Sequence, residues 1–347
     1  MADDPRALLL GRTARELRGP HETARAELLA PDARPANVIG VGVGVKWTGG
    51  VPTGEPAVLT LVTHKVGIAD LSERDRLPPH IDGVKTDVVA VGLPIAGAAP
   101  AGPVQQTLTA RVRPVKGGYS IGHKDITAGT TATAVYDLLP GGTLSPPALG
   151  VGIPTAYYVL SNNHILANGN AAAIGDAILQ PGPYDGGKDP QDRIASLSRF
   201  IPISFAPEVP LENHNNIVDC AIASATYADI DREIFWIGGA RGWRRRSGVN
   251  VGSTVQKVGR SSCYTVGRII AVNTTIDISY GKGKMARFHD QFLTTPMSTP
   301  GDSGSLILSM DGVAVGLLCA GSPASTVVNQ IENVRSLLWV EVGGEAT

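Results

Sequence analysis

The segment TPGDSGSLIL, residues 299–308, places a serine between two glycines directly before an apolar, strand-like run. A serine hydroxyl is a poor nucleophile at its ordinary pKa, so it needs a neighbouring base and N–H donors aimed at the oxyanion that forms. Gly301 and Gly304 allow a tight turn in which the N–H groups of Gly301 and Ser303 converge on one point. Ser303 is therefore a candidate nucleophile beside a candidate oxyanion hole, and an ordinary turn between two strands is the alternative.

A catalytic base for Ser303 must lie upstream, because the last of the seven histidines is His289. This order excludes the α/β-hydrolases, in which the histidine follows the serine. His164, in YYVLSNNHILAN (157–168), follows a run of strand-forming residues and opens a change from polar to apolar sequence. That context predicts a base on a loop held by a rigid strand. For the other six histidines, a surface or structural role is the simpler interpretation.

The candidate acid is Asp219, which interrupts the apolar run of NNIVDCAIASA (215–225). A buried carboxylate costs several kcal/mol unless it is paired, and an imidazole N–H is a suitable partner. Accepting that bond would fix the tautomer of the base. A carboxylate that caps a turn at the start of a strand is the alternative. Four other aspartates, in Gly/Pro-rich sequence, are expected to be solvated: Asp176, Asp185, Asp189 and Asp192.

The order His164, Asp219, Ser303 is that of the chymotrypsin-like triad. SNNHIL (161–166) stands where trypsin-like serine proteases have T-A-A-H-C, VDCAIA (218–223) where they have D-[IV]-A-L, and TPGDSGS where they have GDSGG. QKVGRSSCYTVGRI (256–269) resembles a hairpin of many bacterial members, and GLLCAGS (316–322) resembles the strand that lines their substrate channel. The chain thus resembles a bacterial trypsin-like serine protease over most of residues 113–342. SNNH, GDSGS and the N-terminal extension also resemble a bacterial group related to plant narrow-leaf-type proteases.

The resemblance implies a mainly β fold, with two six-stranded antiparallel barrels, the site between them, and a small α/β domain in front. It implies the roles of base for His164, of orienting acid for Asp219 and of nucleophile for Ser303. The substrate pocket it indicates contains Met297, Ser298, Cys319, Ala320 and Gly321. Because no acidic group stands there, we expect an apolar or small residue before the scissile bond rather than Arg or Lys.

Two departures from the family pattern are conservative: Ile165 replaces a disulfide cysteine, and Ser305 replaces a glycine. A third concerns Asp302. In animal members, a freshly cut N-terminus pairs with the corresponding aspartate, whereas here a long chain precedes the catalytic region. Arg260 or Arg268, in the hairpin, is the hypothesised partner.

The length of 347 residues suggests about two domains. We expect an N-terminal α/β domain at 1–93, with a regulatory or assembly role, a Pro-rich linker at 94–105, and the protease domain at 106–347. The first 30 residues predict a helix broken near Gly19-Pro20, and strands are predicted at 37–47, 56–66 and 84–94. Alternating glycines in the first strand leave one face bare, and we expect the N-terminal helix to pack on it.

The charge and cysteine composition indicates which classes of binding partner to expect. The 30 Lys and Arg against 31 Asp and Glu give a formal net charge of −1, which provides no general attraction for nucleic acid or anionic membrane. The three cysteines are expected to be buried reduced thiols, and no cofactor or metal is expected. No export signal and no apolar run of about 18 residues is visible, so we expect a cytoplasmic protein.

The sequence therefore predicts a serine endopeptidase that acts on a protein or peptide through an acyl-enzyme. The alternative is a catalytically silent or autoinhibited module that keeps the protease fold for binding or regulation. A third hypothesis makes the N-terminal domain a self-assembly element of a homo-oligomer.

Overall fold

Two large β-sheets make up most of the protein. The structure, a computed structural model, describes residues 16–48, 51–96, 108–126, 128–137 and 156–343. Its helices are α1 (Arg18–Leu28), α2 (Asn163–Leu166) and α3 (Ile331–Leu338). Its strands are β1 (Val38–Thr48), β2 (Val51–Val62), β3 (His80–Ile81), β4 (Val84–Ala90), β5 (Val115–Gly117), β6 (Ser120–His123), β7 (Gly129–Thr130), β8 (Ala134–Asp137), β9 (Tyr157–Ser161), β10 (Ala177–Leu179), β11 (Arg193–Phe200), β12 (Ala221–Ala225), β13 (Ile230–Ile234), β14 (Gly238–Gly239), β15 (Thr254–Gly259), β16 (Cys263–Ser279), β17 (Met285–Thr294), β18 (Leu306–Ser309), β19 (Ala314–Gly321), β20 (Thr326–Gln330) and β21 (Val340–Glu341). No helix within these ranges is long and apolar enough to cross a membrane.

The first sheet has eight strands in the order β21-β8-β9-β12-β11-β10-β6-β7. Its neighbouring strands pair antiparallel, and its inner face buries small and branched apolar side chains such as Ile121, Val159 and Leu197. This sheet has more than the six predicted strands, in part because β21, from the end of the chain, pairs with β8.

The second sheet contains a closed ring of six strands. The ring order is β15-β18-β19-β20-β17-β16, and β16 also pairs with β15, which closes it. All of these pairs are antiparallel, so a six-stranded antiparallel barrel is present as the sequence predicts. The prediction of a mainly β protein is confirmed.

The N-terminal strands extend the sheet of this second barrel. β1 pairs antiparallel with β16, and β2, β4 and β3 follow it in the same sheet. The three predicted N-terminal strands are confirmed as β1, β2 and β4. The helix and strands of the expected α/β unit are therefore present, but their sheet is continuous with the barrel. The division at residues 93 and 94 stays a prediction.

The expectation that the N-terminal helix covers the glycine face of β1 is wrong. A Cβ on Gly40 would meet the backbone of Thr275 and Ile276 of the paired strand, so β16 itself approaches the glycines. Helix α1 packs on the opposite face, where Ala24 and Leu28 meet valines of β1 and β2. The glycines of β1 therefore allow the neighbouring strand to approach closely and do not form a surface for the helix.

Buried ion pairs and hydrogen bonds connect the N-terminal region to the second barrel. Asp277 of β16 accepts from Arg34 at 2.6 Å and from Arg287 Nε at 2.7 Å. Arg287 also donates to the carbonyl oxygen of Leu29 at 3.2 Å. Because the Asp277 carboxylate is almost fully buried, both arginines are needed to offset its desolvation.

Candidate active site

Strand pairing brings His164 and Asp219 together. Ser161, the last residue of β9, pairs with Ala221, the first residue of β12. His164 lies in the short helix α2 just after β9, and Asp219 lies just before β12. Residues that lie just beyond the paired ends of two antiparallel strands are neighbours. The base candidate and the acid candidate therefore meet at this end of β9 and β12.

The carboxylate of Asp219 holds His164 at two points. His164 Nδ1 lies 2.5 Å from Asp219 Oδ2, and the His164 backbone N–H donates to Oδ1 at 3.2 Å. The Asp219 carboxylate is completely buried, and the side chain of His164 is 8% exposed. This arrangement fixes the ring orientation with Nδ1 carrying the proton, which leaves Nε2 as the basic nitrogen.

Tyr280, which the sequence analysis did not anticipate, supplies a third bond to Asp219. Its hydroxyl donates to Asp219 Oδ2 at 2.9 Å, and its ring meets the His164 ring edge-on with centroids 5.7 Å apart. Burial and the Asp219 charge raise the pKa of the Tyr280 hydroxyl well above its usual value. Tyr280 therefore remains a proton donor to the carboxylate at all physiological pH values.

Ser303 and His164 are not hydrogen-bonded to each other. Ser303 Oγ makes a long contact of 3.5 Å with the carbonyl oxygen of Cys319, and His164 Nε2 is buried without a hydrogen-bond partner within the described residues. Catalytic hydrogen bonds are often long or misaligned before substrate binds. The unpartnered basic nitrogen is the expected acceptor for a serine proton.

The turn around Ser303 depends on two glycines. Gly301 has φ +99° and Gly304 has φ +94°, a region that strongly favours glycine. A Cβ on Gly304 would collide with Ser161 Oγ and with the carbonyl oxygen of Thr130, so this turn presses against the first sheet close to α2. Neither the Gly301 N–H nor the Ser303 N–H has an acceptor within the described part of the chain. Both are thus available to a ligand oxygen.

Asp302 is paired with Lys257, so the hypothesis of Arg260 or Arg268 is wrong. Lys257 Nζ lies 2.9 Å from Asp302 Oδ2, and both side chains are 0% exposed. Backbone N–H groups of Ser261 and Thr299 also donate to this carboxylate, each at 2.9 Å. Burial alone would raise the pKa of Asp302, but the Lys257 charge and the hydrogen bonds outweigh it and hold that pKa below its usual value.

Arg260 points instead to Asp185, which the sequence analysis expected to be solvated. Its Nε lies 2.6 Å from Asp185 Oδ2, and both side chains are nearly buried. Asp185 also accepts from the Ser120 hydroxyl at 2.5 Å. The Gly/Pro-rich segment that carries Asp185 is therefore bound to the hairpin beside Gly301.

The candidate pocket residues fall into two groups. Ser298 Oγ lies 2.8 Å from Thr326 Oγ1, and a Cβ on Gly321 would lie 2.5 Å from Ser298 Oγ, so Ser298 and Gly321 are adjacent. Cys319 and Ala320 precede Gly321 on β19 and are buried. Met297 is buried in the apolar core of the second barrel. The assignment of these residues to a pocket stays a prediction.

No disulfide joins any two of the three cysteines. Cys220 and Cys319 are fully buried, and burial raises the pKa of both thiols well above the usual value. Cys263, at the start of β16, is only partly buried, which differs from the expectation. Within the described residues, no group of three or more His, Cys, Asp and Glu side chains is placed to hold a metal ion.

No family model and no curated protein matches the chain. Solved structures do resemble it. Protease A of Thermobifida fusca is 14% identical, with 66% of this chain and 98% of that chain covered and a TM-score of 0.43. The chymotrypsin of Cellulomonas bogoriensis is 14% identical, with 65% and 97% covered and a TM-score of 0.41.

A glutamic-acid-specific serine protease is 19% identical, with 65% of this chain and 99% of that chain covered and a TM-score of 0.43. These neighbours are chymotrypsin-like serine proteases. At such identities and TM-scores, the likeness assigns no role to any individual residue of this chain.

Proposed function

We propose that the protein is a serine endopeptidase in which Ser303, His164 and Asp219 form the catalytic triad. Ser303 Oγ attacks the scissile carbonyl carbon while His164 Nε2 takes its proton, and Asp219 stabilises the resulting imidazolium. The N–H groups of Gly301 and Ser303 bind the oxyanion. His164 then protonates the leaving amine, and water releases the acyl group from Ser303 by the reverse proton path.

The observation that carries this proposal is the bond of 2.5 Å between His164 Nδ1 and Asp219 Oδ2, which leaves Nε2 buried and unpartnered. A structural histidine in such a position would normally satisfy both ring nitrogens. Attack requires Ser303 Oγ to exchange its long contact with Cys319 for one with Nε2.

The expected substrate is a protein or peptide with an apolar or small residue before the scissile bond. Ser298 and Gly321 carry no charge, and Ser298 is already paired with Thr326. A cationic substrate side chain would lose its hydration there without gaining a carboxylate partner. Peptides that differ only in this residue, Ala or Leu against Arg, test the preference through their kcat/KM values.

Labelling with a fluorophosphonate probe tests the mechanism, because the probe reacts only with an activated serine. We expect labelling of the wild type and none of Ser303→Ala or His164→Ala. Ser224→Ala is a suitable control, since Ser224 is exposed on β12. Equal labelling of Ser303→Ala and wild type would refute the assignment of the nucleophile.

A further inference from the structure

A short segment that follows β4 lies against the end of β19. We call residues 91–96 the strap. Val91 and Ala96, at its two ends, are buried in the apolar core of the second barrel. Between them, Leu93 is 41% exposed and Ile95 is 42% exposed. The strap thus crosses the surface between two anchored ends.

Backbone hydrogen bonds hold the middle of the strap between two strands. The Ile95 N–H donates to the Gly321 carbonyl oxygen at 3.0 Å, and the Gly321 N–H donates back to Ile95 at 3.4 Å, as in an antiparallel pair. On its other side, the Ala96 N–H donates to the Ser279 carbonyl oxygen at 3.0 Å, and the Ser279 N–H donates to Pro94 at 3.0 Å. The strap therefore pairs with both the end of β19 and the end of β16.

The edge that the strap covers leads to the candidate nucleophile. Ser303 Oγ contacts the carbonyl oxygen of Cys319, two residues before Gly321 on β19. Because two residues of a strand span about 7 Å, an extended peptide that pairs with Gly321 can place a neighbouring carbonyl carbon at Ser303. Edge pairing of an extended peptide provides main-chain hydrogen bonds, and it needs the free N–H and C=O groups of the edge. Ile95 already takes both groups of Gly321.

We propose that the strap is an internal competitor, which occupies the peptide-binding edge at Gly321 and must leave before a peptide can bind there. The functional role of the strap rests on the proposed peptidase activity. Its test measures peptide binding and does not require catalysis. The burial of Ser303 and His164 agrees with a closed site: Ser303 is 5% exposed, and the side chain of His164 is 8% exposed.

The contacts of the strap suit reversible release. Its bonds to Gly321 and Ser279 are all backbone bonds, so any extended peptide can replace them, and the Ile95 side chain remains far from fully buried. Val91 is held separately, because its carbonyl oxygen accepts from Ser325 Oγ at 3.0 Å. Gly92, at φ +66°, turns the chain directly after that anchor in a conformation that favours glycine.

Peptide binding to inactive variants tests the inference without requiring catalysis. The probe is a fluorescein-labelled copy of residues 92–96, Gly-Leu-Pro-Ile-Ala, added to Ser303→Ala protein. Ile95→Pro removes the N–H that donates to Gly321. Ile68→Pro is the matched control, because Ile68 is 76% exposed and its N–H donates no hydrogen bond within the described residues. We expect Ile95→Pro to bind the peptide at least about tenfold more tightly than the control, since the competent state becomes more populated.

The outcomes separate the two proposals. Equal peptide affinity for the two proline variants overturns the strap inference, even if fluorophosphonate labels Ser303 in the wild type. Tighter binding by Ile95→Pro, with no labelling of any active-serine form, supports the strap and refutes the peptidase.

Hydrogen exchange of the wild type decides the case if Ile95→Pro does not fold. The Gly321 amide should exchange through local opening, faster than the Leu318 amide, which donates to Ser305 inside the barrel. Equal protection of both amides would show that the strap is a permanent strand.

Discussion

The Tyr280 hydroxyl donates to Asp219 Oδ2 across 2.9 Å, while its ring packs edge-on against His164. Asp219 thus receives two bonds from His164, one from Nδ1 and one from the backbone N–H, and a third from Tyr280, 61 positions further along the chain. A carboxylate held by donors on two residues cannot rotate away from the imidazole, so we infer that Tyr280 is a positioning residue for His164.

Tyr280→Phe should lower the rate of peptide hydrolysis about fivefold, since one donor of roughly 1 kcal/mol is lost at the orienting carboxylate. The loss should appear in kcat rather than in KM, because the Tyr280 hydroxyl contacts the orienting carboxylate and not the substrate. Tyr264→Phe is the control, because the Tyr264 hydroxyl donates to Gln256 away from the triad. An unchanged kcat would contradict a positioning role for the Tyr280 hydroxyl.

Lys257→Met should destabilise the fold by about 3–5 kcal/mol, because Asp302 stays buried without its cation. The low pKa of Asp302 contributes stability that is present above the unfolded-state pKa and is lost as pH falls through the folded-state value. The variant should therefore unfold at a higher pH on acidification. Urea unfolding against pH measures both effects. Lys85→Met removes an exposed ion pair to Glu55 and should change the free energy of unfolding by about 1 kcal/mol or less.

Gly301→Ala should reduce fluorophosphonate labelling by about 10²–10³-fold, the usual effect of losing an oxyanion donor. Its Cβ would clash with Ser261 Oγ and lie 2.5 Å from Arg260 Nη1, so the turn has to shift. Gly312→Ala imposes similar backbone strain at φ +82° with its nearest atom 3.7 Å away. If both variants lose labelling equally, backbone strain and not the oxyanion turn explains the loss.

Acidification should weaken the attachment of helix α1 through His21. Burial, together with the nearby Arg25 charge, lowers the pKa of His21 from 6.5 to about 4. Between these values the unfolded chain binds the proton and the folded chain does not, so stability falls as pH drops from 6.5 to about 4, by up to about 3 kcal/mol.

His21→Gln should remove most of this dependence in denaturant unfolding at pH 7 and pH 4. His80→Gln is the control, since His80 is exposed in β3. The same pH dependence in His21→Gln and wild type would contradict the prediction.

Local patterns in the sequence were sufficient for much of the fold. The alternating Val and Gly residues of β1 and the apolar runs of β2 and β4 predict these strands because burial on a pleated sheet needs that period. Ile331, Val334 and Leu338, at helical spacing, also indicate α3, although the surrounding sequence is typical of strands.

Local patterns in the sequence did not predict which buried charged residues pair with each other. Lys257 and Asp302 lie 45 residues apart, and Arg260, three residues after Lys257, also carries a positive charge. Which of the two reaches Asp302 depends on strand direction: Lys257 points inward from β15, while Arg260 lies past its end and turns to Asp185. The residues around Tyr280 in the sequence do not indicate its contact with Asp219. That contact forms only when folding brings the end of β16 next to Asp219.

The attachment of the N-terminal strands to β16 also sets an order of assembly during protein synthesis. Arg287 bonds to Leu29 across 258 residues of chain, and β1, which pairs with β2 on one side, gains its second neighbouring strand only after β16 has been synthesised. Contacts between such distant segments form late in folding. Since Ile95 pairs with Gly321, which is made later still, the strap cannot cover this part of β19 before the whole of β19 has been synthesised.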